Sequence, residues 1–287
     1  MPLMTFVPFP FGAASVLPGT PSECWFLQAL IGGYTGALVR VRRSSDNTEQ
    51  DIGQGSGGLL DTSGLLSFCG AGSGFVRTLY GQVGVDDLEQ ATTTAQPMIV
   101  NSGSLVTLGG EPAMDFDGTD DFLASSAAIS SFLAAAESVV AGVLHVDAID
   151  TNSANAYNND AFWADSGSFI GVHLDSTGPV IAAYNWDGNE DKAQTTIATA
   201  TDFVHVWQHL PSGGARLESW VNGSHPSPST SGSTTDLTGT LRLGRNYLSA
   251  YLNGRVAGLV TYATNLSTGD IGALGSALAA IYGITWT

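Results

Sequence analysis

The sequence is poor in basic residues, and this excludes partners that are recognised through their phosphate groups. Nine Lys and Arg stand against 26 Asp and Glu, which gives a formal net charge of −17 at pH 7 over 287 residues. A chain of this charge repels nucleic-acid backbones and anionic lipid surfaces. We therefore expect neither nucleic-acid binding nor membrane attachment.

Long apolar runs and cysteines are also scarce. No run of about 18 apolar residues occurs, so no transmembrane helix is predicted. Residues 1–20 are apolar, but they lack a basic start and are interrupted by four prolines, which makes them a poor signal peptide. Without an export signal, the only two cysteines, Cys24 and Cys69, are expected to be free buried thiols rather than a disulfide.

What the sequence has in abundance is glycine and short β-prone segments. There are 36 glycines, and only 12% of residues are charged. Residues 37–43 alternate with period two, which predicts a half-buried strand with Arg40 and Arg42 on its open face. Residues 138–146 read as an apolar core strand, and similar segments recur at turn-separated intervals to about residue 264. Such spacing is typical of an antiparallel sandwich.

Three segments favour helices instead. Ser22 is a suitable N-cap for a short helix over 22–33, which Gly32 and Gly33 would end. Residues 59–70 could form a second short helix. Residues 266–283 predict a capped terminal helix with Asp270 in its first turn.

Residues 1–20 are predicted to form an extended docking arm, followed by a single sandwich domain over 21–287. The arm carries no charged side chain, and its prolines disfavour a helix or a central strand. Phe6, Phe9 and Phe11 are its candidate contacts with a neighbouring subunit. The alternative is that the arm packs back on its own sandwich and covers an edge strand.

The tract from Ala215 to Ile271, with its VNG, LGR and NGRVAGLVTY segments, resembles the second half of laminin-G-like, concanavalin A-like domains. Asn222-Gly223 and Asn253-Gly254 are strong hairpin signals, in agreement with that resemblance. The segment MDFDGTDDFL (114–123) resembles the opening strand pair of the same domains. The resemblance implies an all-β, antiparallel two-sheet concanavalin A-like (jelly-roll) sandwich, to which we add short N- and C-terminal helices.

Residues 22–100 resemble a narrower family, through YTGALVRVRRSSD, FCGAGSGFVRTLYGQVG and QPMIV. These segments are similar to the start of the arabinofuranosidase B catalytic domain, which is itself a concanavalin A-like sandwich. In that family the nucleophile is taken to be a Glu in a YEGVMT-like strand. The resemblance places Ala257 at that position, which implies a chain that is not an enzyme.

The same arrangement resembles modules of tailed-bacteriophage virions. This implies a non-catalytic virion structural protein, such as a head decoration, head fibre or tail-associated module. It would be made in the host cytoplasm, reside on the virion surface, form a homo-oligomer, and contact other virion proteins and cell-surface glycan. The alternative is a glycoside hydrolase related to arabinofuranosidase B.

Aromatic and acidic residues supply the candidate ligand sites. Aromatic rings can stack on sugars, and the candidates for glycan contact are Trp186 with its neighbours Asn185 and Asp187, together with Trp163 and Tyr157. Asp117, Asp120 and Asp121 could bind Ca²⁺, which takes several carboxylate oxygens, although Asp and Gly are also favoured in a plain hairpin turn. No other cofactor is expected.

Overall fold

A computed structural model describes most of the chain. The described residues are 15–84, 86–135, 137–149, 161–166, 171–175, 180–186, 190–210, 217–225, 237, 239–246 and 248–287. The predicted docking contacts Phe6, Phe9 and Phe11 lie outside them.

The described residues form twenty strands and two α-helices. The strands are β1 Glu23–Phe26, β2 Val39–Arg43, β3 Glu49–Ile52, β4 Gly74–Leu79, β5 Leu88–Glu89, β6 Met98–Asn101, β7 Ser104–Leu105, β8 Thr107–Leu108, β9 Glu111–Pro112, β10 Met114–Asp117, β11 Leu123–Ala128, β12 Ser138–Ala148, β13 Ala161–Asp165, β14 Gly171–Asp175, β15 Val180–Trp186, β16 Glu190–Thr196, β17 Asp202–His209, β18 Leu217–Val221, β19 Thr240–Leu243 and β20 Asn253–Tyr262. The helices are α1 Thr62–Cys69 and α2 Thr268–Ile281.

The strands pair antiparallel throughout and fold into two layers. One layer runs β18, β17, β12, β20, after which β1 and β10 share the far edge of β20. The other runs from β3 through β2, β4, β5, β11, β19, β13, β14 and β15 to β16. The predicted all-β sandwich is confirmed.

Two hydrophobic clusters hold the layers in place. The larger lies between the layers and joins side chains from both, including Val41 of β2, Phe116 of β10 and Leu243 of β19. The smaller lies on the outer face of the β12–β20 layer, where Ile271, Leu274 and Leu278 of α2 cover it. Helix α2 therefore serves as a third layer behind the sandwich.

Both helices begin at side-chain caps, as the sequence favoured for α2. Ser267 accepts a hydrogen bond from the Asp270 amide, and Asp61 accepts one from the Gly64 amide. These caps satisfy amides that lack a partner in the first turn of a helix. The helices predicted near 266–283 and 59–70 are thus confirmed.

The helix predicted over 22–33 is wrong, because this segment contains strand β1. Glu23 to Phe26 pair with Thr261 to Gly258 of β20. Cys24 and Phe26 enter the smaller cluster, whereas Trp25 enters the larger one. A strand buried on both faces reads as a continuous apolar run, which imitates a buried helix.

Two local predictions also need correction. Arg42 is buried rather than open, because its guanidinium lies over the Phe75 ring and donates to Gln96 and Asn47. Asn253-Gly254 begins β20 and is not a hairpin turn. Asn222-Gly223 does form the expected turn after β18, with φ of 50° and 86°, values that Asn and Gly tolerate best.

The last residues of the predicted arm that the structure describes pack on the same chain. Leu17 is buried in the smaller cluster, and the Pro18 carbonyl accepts a hydrogen bond from the Tyr262 hydroxyl. Docking of residues 1–14 on a partner stays a prediction.

The two cysteines are free and buried, as expected. Burial raises the pKa of both thiols. Among the described residues, no helix has the length and apolar character needed to cross a membrane.

Candidate functional site

Three carboxylates line one cleft, which we call the acidic cleft. It has a volume of about 350 Å³ and is lined by Asp86, Asp87, Glu89, Gly84 and Ser126. This volume falls in the range of small-molecule sites. The acidic residues follow β4 and end on the short strand β5.

A buried glutamate holds the loop that carries these residues. Glu23 of β1 is fully buried, and its Oε1 accepts the amides of Cys24 and Val83 at 2.9 and 2.8 Å. Its Oε2 accepts the Asp86 amide at 3.3 Å. At Gly81 an added Cβ would lie 2.3 Å from the Asp86 carbonyl oxygen, so only glycine allows this close approach. The loop is therefore fixed by the core.

Asp86 is held from the opposite side by the β11 segment. Its Oδ1 accepts the Ser126 hydroxyl at 2.7 Å, and its Oδ2 accepts the Ala127 amide at 2.8 Å. Two donors to one carboxylate fix its orientation. Asp86 thus contributes a fixed negative charge to the cleft.

Asp87 sits in an environment that favours its protonated form. Burial raises its pKa, and the charges of Glu89 and Asp86 raise it further, against one hydrogen bond from the Gly81 amide at 2.9 Å. A carboxyl group whose pKa is raised by burial and by neighbouring carboxylates is suited to act as a general acid.

Glu89 is the most open of the three. Its Oε2 lies 3.5 Å from Nη1 of Arg77, and its Oε1 accepts the Thr78 hydroxyl at 3.4 Å. Its side chain is 49% exposed, so a ligand can reach it. Asp87 and Glu89 are two residues apart in the chain, and both line the cleft.

The cleft therefore holds carboxyl groups of the kind that glycoside hydrolysis uses. One carboxyl group must donate a proton to the leaving oxygen, and one carboxylate must attack the sugar or activate water. Asp87 fits the first role and Glu89 the second, while Asp86 sustains the raised pKa of Asp87.

Ala257, the position that the sequence resemblance assigned to a nucleophile, does not face any cleft. It is fully buried in the smaller cluster between β20 and α2. A carboxylate there would be surrounded by apolar side chains and hidden from substrate. The absence of Glu at this position is therefore no argument against catalysis.

The sugar-contact candidates fall mostly outside the described side chains. Tyr157 and Asp187 lie outside the described residues, and Asn185 and Trp186 are described only as backbone of β15. The prediction that Trp163 contacts glycan needs correction. It is fully buried and packs edge-on against Trp207 with ring centroids 5.4 Å apart, so it offers no ring face to a sugar.

The predicted metal residues do come together at the β10–β11 turn. Carboxylate oxygens of Asp117, Asp120 and Asp121 lie within 4.8 Å of one another. Oxygen donors of this kind suit Ca²⁺. The same residues also form the plain hairpin turn, because Asp117 accepts a hydrogen bond from the Thr119 amide and Gly118 has φ of 74°. Binding of Ca²⁺ stays a prediction.

The comparison with protein families matches the first part of the chain. The family model of the α-L-arabinofuranosidase B catalytic domain matches residues 18–109, about a third of the chain. The three carboxylates of the acidic cleft fall inside this range. No curated protein matches the chain.

Solved structures match nearly the whole chain. An arabinofuranosidase complexed with arabinofuranosyl-α-1,2-xylobiose has a TM-score of 0.67 at 17% identity, over 91% of this chain and 62% of that one. A glutamate-to-glutamine mutant of a glycoside hydrolase family 54 α-L-arabinofuranosidase, soaked with 4-nitrophenyl α-L-arabinofuranoside, has a TM-score of 0.67 at 18% identity, with the same coverage. The chain thus spans 62% of the length of these structures. At this identity they show a shared fold.

These matches contradict the prediction that the chain is not an enzyme. The matching family model describes a catalytic domain, and the structural neighbours are glycoside hydrolases. The virion role has no support among them. The sequence analysis did not predict the acidic cleft. The available signal was the run Asp86-Asp87-Leu88-Glu89, which begins two positions after the end of the family-like segment FVRTLYGQVG.

Proposed function

We propose that this chain is a glycoside hydrolase of the arabinofuranosidase B type, which releases α-L-arabinofuranosyl groups. The observation that carries the proposal is the acidic cleft, in which Asp87 has a raised pKa beside Asp86 and Glu89. The catalytic-domain match over residues 18–109 and the arabinofuranosidase-like fold support the substrate class.

The two reacting groups have separate roles. The protonated Asp87 carboxyl donates its proton to the glycosidic oxygen as the bond to the anomeric carbon breaks. The Glu89 carboxylate acts at the anomeric carbon. It either attacks directly, after which a water deprotonated by Asp87 hydrolyses the glycosyl-enzyme ester, or it deprotonates a water that attacks. Nη1 of Arg77, 3.5 Å from Oε2 of Glu89, orients that carboxylate.

Asp86 and Ser126 act as positioning residues. The Asp86 carboxylate is fixed by Ser126 and Ala127, so its charge stays close to Asp87 throughout the reaction. This charge opposes loss of the Asp87 proton before the substrate takes it.

The test is hydrolysis of 4-nitrophenyl α-L-arabinofuranoside by the full chain, measured as release of 4-nitrophenol. We expect turnover of this substrate by the wild type. Because 4-nitrophenolate leaves without a proton, Asp87→Asn is assayed on arabinan, whose sugar leaving group needs one, and there we expect kcat to fall by about 10²- to 10⁴-fold, the usual contribution of a general acid. Glu49→Gln is the matched control, because Glu49 is an exposed carboxylate on β3 outside the cleft.

Circular dichroism and the melting temperature establish that each variant is folded. No turnover by the folded wild-type chain, on this substrate or on arabinan and arabinoxylan, would refute the proposal. So would an Asp87→Asn variant that keeps wild-type kcat. The virion location, the homo-oligomer and the contacts with virion proteins and glycan remain predictions.

A further inference from the structure

A second polar groove lies on the outer face of the β12–β20 layer, and we call it the mixed-charge groove. It has a volume of about 540 Å³, and its charged lining residues are Asp115, Asp147 and Arg255. Asn101, Ser102 and Ser104 line its other side. It shares no lining residue with the acidic cleft.

The sheet register builds this groove. Asp115 of β10 lies opposite Arg255 of β20, Arg255 lies opposite His145 of β12, and His145 lies opposite Asp202 of β17. Directly paired residues share a face of the sheet. Met114 and Phe116 on either side of Asp115 enter the larger cluster, so Asp115 itself points outward.

Polar contacts of His145 and an ion pair of Arg255 hold most of this row in place. His145 contacts Asp202 through Nδ1 at 2.5 Å and Asp147 through Nε2 at 3.2 Å. Arg255 lies 3.6 Å from Asp147 and donates to the Thr107 carbonyl at 2.9 Å. The groove wall is therefore preorganised before any ligand arrives.

Asp115 is the exception in this row. Within the described residues its carboxylate has neither a hydrogen bond nor an ion pair. Burial raises its pKa, and the Asp147 charge raises it further, while the charge of Arg255 on the paired strand opposes both. A half-buried carboxylate without a donor is costly, and a ligand hydroxyl would satisfy it.

The charges of the lining restrict what can occupy the groove. The two carboxylates outnumber the one arginine, so the lining repels an anionic ligand. Hydroxyl groups can both donate to Asp115 and accept from Arg255, Asn101 and the serines. Leu105 and Val106 add an apolar surface for the C–H faces of a sugar ring.

We propose that the mixed-charge groove binds a neutral oligosaccharide at a site separate from the acidic cleft. That this oligosaccharide belongs to a polysaccharide substrate rests on the proposed function. The groove would hold the polymer while the acidic cleft acts on it.

The test is calorimetric titration of arabinotriose and of xylotriose into the full chain carrying Asp87→Asn, which prevents turnover. Adding Asp115→Asn, an isosteric change on the outer face, should weaken binding of at least one trisaccharide about tenfold, since it removes a hydrogen bond to a charged group. Asn101→Ala provides a second groove variant at an exposed position, and Glu49→Gln should leave the affinity unchanged.

Hydrolysis of 4-nitrophenyl α-L-arabinofuranoside by Asp115→Asn alone should keep its wild-type kcat and KM, because this small substrate needs only the cleft. Unchanged trisaccharide affinity in both groove variants, or no binding of either trisaccharide, would overturn the proposal. Tighter binding of trigalacturonate would overturn the neutral class. Binding measured without any hydrolysis in the wild type would refute only the proposed function.

Discussion

The acidic cleft and the mixed-charge groove are both lined by aspartates, and they differ in how those charges are balanced. In the cleft, Asp86, Asp87 and Glu89 share one peripheral cation, Arg77, and burial together with like charge raises the pKa of Asp87. In the groove, Arg255 and His145 alternate with Asp115, Asp147 and Asp202 across four strands.

This difference separates two uses of carboxylates. In the cleft, burial and like charge raise the pKa of one carboxyl group, which is the requirement for acid catalysis. In the groove, the Arg255 charge opposes the rise in the pKa of Asp115, and the lining presents hydrogen-bond partners, which is the requirement for binding. The comparison therefore predicts that equal substitutions have unequal effects in the two places.

The largest expected effect is on catalysis. Glu89→Gln in the cleft should lower kcat on 4-nitrophenyl α-L-arabinofuranoside by about 10²-fold or more, because an amide can neither attack nor accept a proton. Asp147→Asn in the groove should change kcat by less than about twofold. Steady-state kinetics on both folded variants measure the difference, and equal losses would break the comparison.

A carboxylate introduced outside both the acidic cleft and the mixed-charge groove should lower the stability of the fold instead of changing catalysis or binding. Ala257→Glu puts a charge among the apolar side chains beneath α2 and should lower the free energy of unfolding by about 3 kcal/mol or more. Urea denaturation measures it, with Ala257→Gln as a neutral control of equal size that should lose less. Activity gained by Ala257→Glu would restore the original assignment of the nucleophile to this strand.

The charge crowding in the cleft can be measured through pH. Because Asp87 must be protonated, kcat should fall as pH rises through its raised pKa. Asp86→Asn removes one of the charges that raise this pKa, so the fall should move to lower pH. Asp115→Asn should leave the profile in place. A profile that moves to higher pH in Asp86→Asn would contradict the assignment of Asp87.

The smallest expected effect concerns the turn carboxylates. Burial, and then the Asp117 charge, raise the pKa of Asp121 to about 7. The folded state thus binds this proton more tightly than the unfolded chain, so its stabilisation is complete below about pH 4 and lost as pH rises through 7. Asp121→Asn should raise the melting temperature by roughly 2–4 °C at pH 8 and by less at pH 4. An equal shift at both pH values would argue against the raised pKa.

Much of the fold was predictable because its signals are local. The Ser267 cap, the apolar strand β12 and the Asn222-Gly223 turn all follow from neighbouring residues. The failures involve distant residues. β1 was misread because two clusters bury both of its faces, and Arg42 is covered by Phe75 and Gln96 from later segments.

The candidate site was less predictable for the same reason. The acidic cleft depends on Glu23 holding the loop before β5 and on Ser126 and Ala127 holding Asp86. These contacts join segments 40 to 63 residues apart. The composition of the run from Asp86 to Glu89 was visible in the sequence, but its burial and charge crowding were not.

The pairing of β1 with β20 has a consequence for how the chain acquires its structure. Glu23 lies opposite Thr261, so one edge of the central layer must wait for a partner synthesised some 240 residues later. Closing such distant contacts is slow, because the entropy of loop closure is lost before the contacts form. During synthesis, the apolar strand Glu23–Phe26 stays without its partner until β20 leaves the ribosome, which is the interval in which aggregation competes with folding. Coexpression with a chaperone should therefore raise the soluble yield, most of all at high rates of synthesis.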